Sequence, residues 1–356
     1  MVLPGVWDDP VSSWGTPLIV FVFVAAGIAT WIAGLYLSKA TDVLDGRFKL
    51  GDAVGGMLLL GLAGSLPELA IVSSAALSGH LALATGNLLG GIAMQTLVLV
   101  FLDATSRRQR PLTSLVSDTN PLIESMLVIV LVTFAVMGGF LPESTSVGSV
   151  SPASIAIVVF FLLGMIGLNR ARRRPVWRAT TDATDPETAE KGPPNLFERM
   201  STTAVVGAFV AASAVTLVAG VLLEQTGNEL ADDLGMNGVV FGATILAAVT
   251  ALPEISSGLQ AVRLGSVSLA MSDIYGGNAM QLTFFLLADL LAGSPVLSAA
   301  SSESLWLGAL GAVVTGIFAY GLLVRLDRKQ FGLGRDSLIV LLVYIAGVLL
   351  LTVVPG

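Results

Sequence analysis

Long apolar runs separated by short polar segments dominate the pattern of this chain. A run of about 20 apolar residues is long enough to cross the hydrocarbon core of a bilayer as a helix. We therefore predict an all-α, polytopic membrane protein with about ten transmembrane helices, five in each half. The predicted spans are 17–38, 51–78, 81–103, 119–138, 152–169, 201–223, 236–262, 266–290, 304–324 and 336–354.

Two of these spans carry a proline followed by a glutamate. Pro67 and Glu68 lie in the second span, and Pro253 and Glu254 lie in the seventh. A proline must kink or break a helix, and a carboxylate inside lipid costs about 2.5–3.5 kcal/mol. A shift of 186 positions aligns the two segments without a gap. The same shift places Asn87 on Asp273, the Gly90-Gly91 pair on Gly276-Gly277, Gln95 on Gln281 and Asp103 on Asp289. Matched carboxylates beside helix breaks indicate a cation site.

Composition supports a membrane protein and excludes several kinds of site. Hydrophobic residues make up 54% and charged residues 12% of the chain, against about 25% charged residues in soluble proteins. The absence of cysteine excludes disulfides and thiolate chemistry, and a single histidine argues against a histidine-based metal site. A net charge of −7 gives no indication of nucleic-acid binding. The first apolar run is too long for a secretory signal, so we interpret it as a retained helix.

The basic residues predict the orientation, because cytoplasmic loops are enriched in Lys and Arg. With the N-terminus outside, all 18 Lys and Arg fall in segments on the inner side. Five spans per half make the second half enter the membrane from the opposite side, which is an inverted repeat. The predicted organisation is a first repeat over 1–170, a cytoplasmic linker over 171–200 and a second repeat over 201–356. We expect a multi-pass protein of the plasma membrane.

The repeated segments offer oxygen ligands of the kind that Ca²⁺ takes, six to eight at a time. Each proline also removes the N–H that would bond to the carbonyl four residues earlier. The candidate ligands are the carboxylates of Glu68, Glu254 and Asp273, the amide of Asn87, the hydroxyls of Ser65 and Thr250, and the freed carbonyls near Ala63 and Val249. Three crowded carboxylates could be neutralised by Ca²⁺ or by several Na⁺, with or without protons. Ca²⁺ and the alternative ions would therefore compete for the same ligands, and an exchanger requires such competition.

These segments resemble the α-repeats of the cation/calcium exchanger superfamily, which includes the sodium/calcium exchangers. That family typically carries Gly-Thr-Ser-x-Pro-Glu in its second and seventh helices. This chain reads Ala63-Gly64-Ser65-Leu66-Pro67-Glu68 and Val249-Thr250-Ala251-Leu252-Pro253-Glu254. The resemblance implies that Glu68 and Glu254 are the central ligands and that Asn87 and Asp273 complete the site. It also implies alternating access, in which the first and sixth helices slide against a fixed core.

The chain departs from the family pattern where neutral oxygens are expected. Gly64 stands where the family has threonine, and Ala251 where it has serine. Leu83 and Leu269, four residues before Asn87 and Asp273, offer no hydroxyl where sodium exchangers often have serine. Fewer neutral oxygens leave fewer positions for Na⁺, so the driving ion stays open between Na⁺ and H⁺. Mg²⁺ is a further candidate cargo, although the number of direct ligands suits Ca²⁺ better.

The resulting functional prediction is a secondary active antiporter that exchanges Ca²⁺ for Na⁺ at a midplane carboxylate site. The alternatives are a Ca²⁺/H⁺ antiporter of the same fold, a passive cation channel, and a structural or receptor membrane protein. We expect neither enzymatic activity nor a cofactor. The expected partners are the transported ions, Ca²⁺ and Na⁺ or H⁺, and the lipid bilayer.

A few polar residues outside this set also suggest roles. Asp103 and Asp289 lie at span ends, where a boundary or capping role is favoured. For Glu124, near the inner end of the fourth span, an interfacial position is preferred over the lining of an access path. The Gly90-Gly91 and Gly276-Gly277 pairs are predicted to be close-packing points rather than ligands.

Overall fold

The structure is a computed structural model that describes residues 11, 13–49, 58, 61–106, 109–116, 118–173, 196–325 and 328–354. The side chains of residues 173 and 352 are not described. Most of the predicted second span before residue 61 and most of the predicted linker over 171–200 therefore lie outside the described residues. The same holds for five of the basic residues from which the orientation is predicted, namely Arg107, Arg108, Arg174, Arg178 and Lys191.

Helices make up nearly all of the regular structure in the described residues, as the sequence predicts. The longer helices are α1 (Thr16–Phe48), α2 (Leu66–Ser78), α3 (Leu81–Thr105), α4 (Asn120–Gly139), α5 (Pro152–Arg173), α6 (Thr202–Asp233), α7 (Gly238–Thr250), α8 (Leu252–Arg263), α9 (Val267–Leu282), α10 (Phe284–Ala292), α11 (Ser302–Val324) and α12 (Arg335–Leu350).

The internal repeat is visible in the positions where helices begin. α1 and α6 begin at Thr16 and Thr202, and α2 and α8 begin at Leu66 and Leu252. Both pairs are offset by the 186 positions found in the sequence. α1 and α6 each continue ten residues beyond the predicted span, so the predicted outer loop at 224–235 is helical as far as Asp233.

Six helices in the described part of the chain are long and apolar enough to cross a membrane, namely α1, α3, α4, α5, α6 and α11. The pair α7 and α8, bent by 45° at their junction, makes a seventh. The remaining predicted spans correspond to α2, to α9 followed by α10, and to α12, which are shorter continuous segments. The protein is thus a multi-pass membrane protein with the predicted two-repeat organisation.

The first helices of the two repeats form a pair at one side of the molecule. α1 packs along α6, and the pair lies against α2 and α8. The outward faces are apolar and exposed, with Phe21 on α1 at 69% and Val218 on α6 at 62% of full exposure. Apolar side chains in such positions fit contact with lipid tails. On the other side, α4 and α11 pack against each other. α4 also contacts α5 and α9, and α11 also contacts α3 and α12.

The two repeats meet where α3 crosses α7. Each helix has a π-helical turn at the crossing, Gly86–Gly90 in α3 and Gly242–Leu246 in α7. A Cβ on Gly90 would overlap the Cβ of Ala243, and a Cβ on Gly242 would lie 2.6 Å from the Leu83 carbonyl oxygen. Only glycine allows the backbones to approach this closely. The predicted close packing at Gly90 is confirmed.

Asp103 joins the end of α3 to the segment that enters α12. Its buried carboxylate accepts hydrogen bonds from the Gly334 N–H at 2.6 Å and the Ser337 hydroxyl at 2.8 Å. It also accepts the Leu112 N–H at 3.1 Å and pairs with the Lys329 ammonium at 3.1 Å. The predicted capping role is confirmed, and it connects the first repeat to the last helix of the second.

Asp289 makes the corresponding connection in the other direction. Its buried carboxylate accepts hydrogen bonds from the Ser151 N–H at 2.9 Å and the Val296 N–H at 2.7 Å. Ser151 begins the entry into α5, the last helix of the first repeat, and it matches Ser337 under the 186-position shift. Each repeat therefore fixes the last helix of the other repeat with a buried carboxylate.

Candidate functional site

The two proline breaks place Glu68 and Glu254 in the first turn of a helix. α2 begins at Leu66 after the non-helical Ser65, and α8 begins at Leu252 after the bend at Ala251. The free N–H groups and the dipole at a helix N-terminus favour a negative charge. The sequence thus builds, twice, a position within the membrane helices where a carboxylate is stabilised.

Glycines on the α1/α6 pair pack directly on these breaks. A Cβ on Gly34 of α1 would lie 2.7 Å from Pro253 Cγ. A Cβ on Gly220 of α6 would lie 2.6 Å from Ala70 Cβ and 3.1 Å from the Pro67 carbonyl oxygen. Gly34 and Gly220 match under the 186-position shift. Each of the two outer helices therefore contacts the helix break of the opposite repeat.

Glu68 is buried between the two repeats, with 2% of its surface exposed. Its Oε1 accepts a hydrogen bond from Gln95 Nε2 at 3.2 Å, and the side chain of Thr250 lies beside the carboxylate. Its Oε2 has no hydrogen-bond partner among the described residues. One oxygen is thus held by Gln95, and the other accepts no hydrogen bond from the described residues.

Glu254 lies close enough to Glu68 and Asp273 for their charges to act on it. Its Oε2, and both amide atoms of the buried Asn87, have no hydrogen-bond partner among the described residues. A buried polar group without a partner costs about 1–3 kcal/mol, and such groups call for an explanation. Oxygens of two carboxylates and one amide are the ligand types that Ca²⁺ and Na⁺ accept. These atoms therefore fit a transported cation.

A cavity of about 330 Å³ leads to this region. Its exposed end is lined by Asp42 near the C-terminal end of α1 and Arg172 near that of α5. Its inner end is lined by Ser65, Gln95 and Glu254. The C-terminal ends of α1 and α5 lie on the side of the predicted linker. The cavity thus approaches the candidate site from that side.

Asp273 is exposed to the cavity, and its Oδ2 accepts a hydrogen bond from the Ser257 hydroxyl at 3.2 Å. Within the described ranges, no three His, Cys, Asp or Glu side chains form a compact group that could hold a metal ion. The expected crowding of three carboxylates is therefore not observed. The reason is that Asp273 turns towards Ser257 and the water-accessible cavity, whereas Glu68 is buried at the helix contact.

The remaining predicted ligands divide between the cavity and the protein interior. Ser65 and Ala63 line the cavity. The Thr250 hydroxyl donates to the Ala247 carbonyl oxygen at 3.3 Å, so it bonds back to its own helix. The Val249 side chain packs against Gly27 of α1. Ser65 and Ala63 thus face the space that a cation would enter, whereas Thr250 and Val249 do not line it.

Two features of the site differ from the sequence prediction. Glu124 is buried, lines the cavity and pairs with Arg172 at 3.6 Å, so the preferred interfacial position was wrong. Among the described residues, no atom would lie within 4 Å of a Cβ on Gly276, and the nearest to one on Gly277 would be the Ser65 hydroxyl at 4.0 Å. These two glycines line the cavity and are not close-packing points.

The role of Gln95 was missed altogether. It is buried, lines the cavity and bonds directly to Glu68. The signal in the sequence was the repeated Ala-Met-Gln triplet, in which Gln95 matches Gln281. Asp42 and Asp45 also line the cavity. They lie 21 and 18 residues before Ala63, the nearest predicted ligand, in no recognisable motif, and nothing in the spacing identifies them.

Comparison with known proteins gives a consistent result. The model of the family described as "Sodium/calcium exchanger protein" matches residues 18–169 and 204–353. The chain is 23% identical over 319 residues to "Putative antiporter CaxA" of Alkalimonas amylolytica, covering 87% of this chain and 93% of that protein. It is 25% identical over 248 residues to "Inner membrane protein YrbG" of Escherichia coli (strain K12), covering 69% of this chain and 71% of that protein.

Solved structures share the fold at low sequence identity. The H⁺/Ca²⁺ exchanger CAX superimposes with a TM-score of 0.69 at 15% identity, covering 95% of this chain and 82% of that one. The sodium-calcium exchanger NCX_Mj superimposes with a TM-score of 0.59 at 15% identity, covering 94% of this chain and 99% of that one. Because the family model spans most of both repeats, the chain belongs to the sodium/calcium exchanger protein family and is a transporter, not an enzyme.

Proposed function

We propose that the chain is a secondary active antiporter that moves Ca²⁺ out of the cell in exchange for Na⁺. One observation carries this proposal. Glu68 and Glu254, matched by the internal repeat, lie together at two helix breaks and keep buried oxygens without hydrogen-bond partners. A carboxylate pair at membrane depth is expensive unless it has a function. Glu254 also lines a cavity that opens on the side of the predicted linker, which supports transport rather than a structural role.

The proposed ligands form two groups, one that meets the cation in the cavity and one that binds it at the inner end. Asp273 and Ser65 meet a cation in the cavity, and Asp273 is held by Ser257. Glu68, Glu254 and Asn87 supply the oxygens that replace its water. We assign the carbonyl of Ala63 to the same ligand set. The proposed roles of Val249 and Thr250 are secondary, because the Thr250 hydroxyl bonds to the Ala247 carbonyl oxygen and the Val249 side chain packs against Gly27.

Two features of the site lead to exchange: the same carboxylates bind either ion, and the site opens to one side of the membrane at a time. The carboxylates hold either Ca²⁺ or the counter-ion but not both, because the same oxygens serve each load. The cavity opens on the side of the predicted linker, so the other ion loads after the helices have rearranged to open the opposite side. We place the protein in the plasma membrane with the N-terminus outside and residues 171–200 in the cytoplasm. The cavity then takes up Ca²⁺ from the cytoplasm.

Proton coupling is the second candidate, and the hydroxyl-poor lining of the site favours it. Leu269 is exposed to the cavity, and Leu83 is buried against Gly242 of α7. Neither position offers an oxygen to Na⁺. Gly64 lines the same cavity without a side chain. With fewer neutral ligands, protons would neutralise the carboxylates in the return step in place of Na⁺.

Calcium flux in proteoliposomes tests both candidates. Gradients of Na⁺, K⁺ and H⁺ are imposed one at a time on the purified protein. We expect Ca²⁺ uptake to follow the Na⁺ gradient; uptake that continues on a pH gradient alone contradicts sodium coupling and supports the proton version. Conduction of Ca²⁺ without any counter-ion would show a channel instead.

Substitutions at the two glutamates test the site in the same assay. Glu68→Gln and Glu254→Gln keep the size of the side chain and remove its charge, so they should abolish gradient-driven flux. Glu143→Gln, at an exposed position in the loop between α4 and α5, is the matched control and should transport normally. Native flux in the Glu68→Gln, Glu254→Gln double variant would refute the proposed site.

A further inference from the structure

A pair of buried glutamines joins the two repeats beside the carboxylates. Gln95 on α3 and Gln281 on α9 are 4% and 1% exposed, and Gln95 Nε2 donates to Gln281 Oε1 at 3.3 Å. The two residues match under the 186-position shift. Gly91 makes room for the pair, since a Cβ there would lie 3.4 Å from Gln281 Nε2. Buried amides are costly unless their hydrogen bonds are made, so these bonds constrain both side chains.

In the hydrogen bonds of the pair, the Nε2 group of each glutamine is the donor. Gln281 Nε2 donates to the Leu88 carbonyl oxygen at 3.0 Å, and Gln95 Nε2 donates both to Gln281 and to Glu68 Oε1 at 3.2 Å. Leu88 lies in the π-helical turn that also contains Asn87. The series therefore links the turn that holds one candidate ligand to the carboxylate of another. Glu254 is not part of it.

The internal repeat defines a second arrangement that the same residues could adopt. In inverted-repeat transporters, the two halves exchange roles when the opening changes sides. Under the 186-position shift, Glu68 matches Glu254 and Leu88 matches Ile274. In the exchanged arrangement Gln281 would donate to Glu254 and to Gln95, and Gln95 would donate to the Ile274 carbonyl oxygen. Both arrangements contain the same number and type of hydrogen bonds, so neither is favoured by the amides themselves.

We propose that Gln95 and Gln281 are positioning residues that act in turn, Gln95 orienting Glu68 while the described cavity is open and Gln281 orienting Glu254 while the opposite side is open. The inference rests on the proposed function, because it assigns these glutamines to the cation site. The proposal predicts that each glutamine affects cation binding differently at the two faces of the membrane. Removing one amide weakens cation binding mainly from the face that is open while that amide bonds to its carboxylate.

Calcium KM measured separately from each face tests the proposal. Everted and right-side-out membrane vesicles expose the two faces of the full-length protein. Gln95→Met keeps the length of the side chain and removes its hydrogen bonds to Glu68 and Gln281. A hydrogen bond to a charged group is strong, so we expect KM to rise about tenfold from the face on which the described cavity opens. From the other face it should rise less than about twofold. Gln281→Met should show the opposite pattern.

Two further variants keep the result interpretable if Gln95→Met folds poorly. Gln95→Glu keeps the size of the side chain, but its carboxylate cannot donate to Gln281 Oε1 and repels Glu68, so it should raise KM on the same face as Gln95→Met. Thr96→Val changes the neighbouring buried side chain, whose hydroxyl bonds to the Ile92 carbonyl oxygen away from the site, and should leave KM unchanged on both faces.

The outcomes separate this inference from the proposed function. Equal KM changes on both faces for both glutamines, or no change for either, overturn the alternating role. Glu68→Gln is measured in the same vesicles. If it has lost flux while Gln95→Met behaves as wild type, the inference fails and the proposed function stands. If Glu68→Gln transports normally, the proposed function fails, and the inference fails with it.

Discussion

Replacing Gly34 with alanine should push α1 away from the helix break that carries Glu254. The new Cβ would lie 2.7 Å from Pro253 Cγ and 2.8 Å from Pro253 Cβ. Carbon atoms pack best at about 3.5–4.0 Å, so α1 and α8 must separate by about 1 Å. Proline is rigid and cannot turn aside. Overpacking of this kind costs about 1–3 kcal/mol, while alanine returns about 1 kcal/mol through its higher helix propensity.

Gly46→Ala is the matched control for this substitution. It lies on the same helix, and no atom of the part of the chain that the structure describes lies within 4 Å of the Cβ that it would add. It therefore gains the helix propensity without the clash, and the two variants should differ in stability by about 1–3 kcal/mol. Thermal unfolding in detergent and Ca²⁺ uptake in proteoliposomes measure the effect. Gly34→Ala should be less stable than Gly46→Ala and transport more slowly. Equal stability together with wild-type uptake would refute the contact between Gly34 and Pro253.

Three further predictions follow from the structure. Because the chain has no cysteine, Ser257→Cys should react with a membrane-impermeant maleimide added on the linker side, while the buried Thr30→Cys stays unlabelled; labelling of Ser257→Cys from the other side only would contradict the opening of the cavity. Asp103→Asn breaks a buried ion pair and should cost about 3–5 kcal/mol in unfolding experiments, more than Asp289→Asn, whose carboxylate pairs with no cation among the described residues. Arg172→Gln removes a positive charge at the cavity mouth. It should raise the rate of Ca²⁺ uptake about twofold at low salt and leave it unchanged at high salt; the same increase at both salt concentrations would show that charge is not the cause.

The breaks and the repeat were readable from the sequence because their signals are local. Proline cannot continue a helix, so the ends of α2 and α8 follow from Pro67 and Pro253 directly. The repeat is visible in the sequence alone, because matching residues of the two halves are separated by a constant 186 positions. The capping roles of Asp103 and Asp289 were also predictable, because a carboxylate at a span end has few other uses in a membrane.

The arrangement of side chains around Glu68 could not be read in the same way. An apolar run shows that a helix exists but not which face meets which neighbour, so Glu124 was placed at the interface although it lines the cavity. Gln95 carries no charge and gives no strong signal by itself. Asp273 was grouped with the glutamates because the alignment shows matching positions and not the rotamer that turns a carboxylate towards Ser257.

The reciprocal bonds of Asp103 and Asp289 bear on how such a molecule can assemble. The donors that satisfy each buried carboxylate come in part from the other repeat, from Ser337 in one case and from Ser151 in the other. A single repeat made alone would bury an aspartate that lacks those donors, and only an oppositely inserted copy could supply them. An ancestral one-repeat protein with these contacts would therefore have been stable as an antiparallel dimer, and fusing its copies into one chain would have preserved an interface already complete.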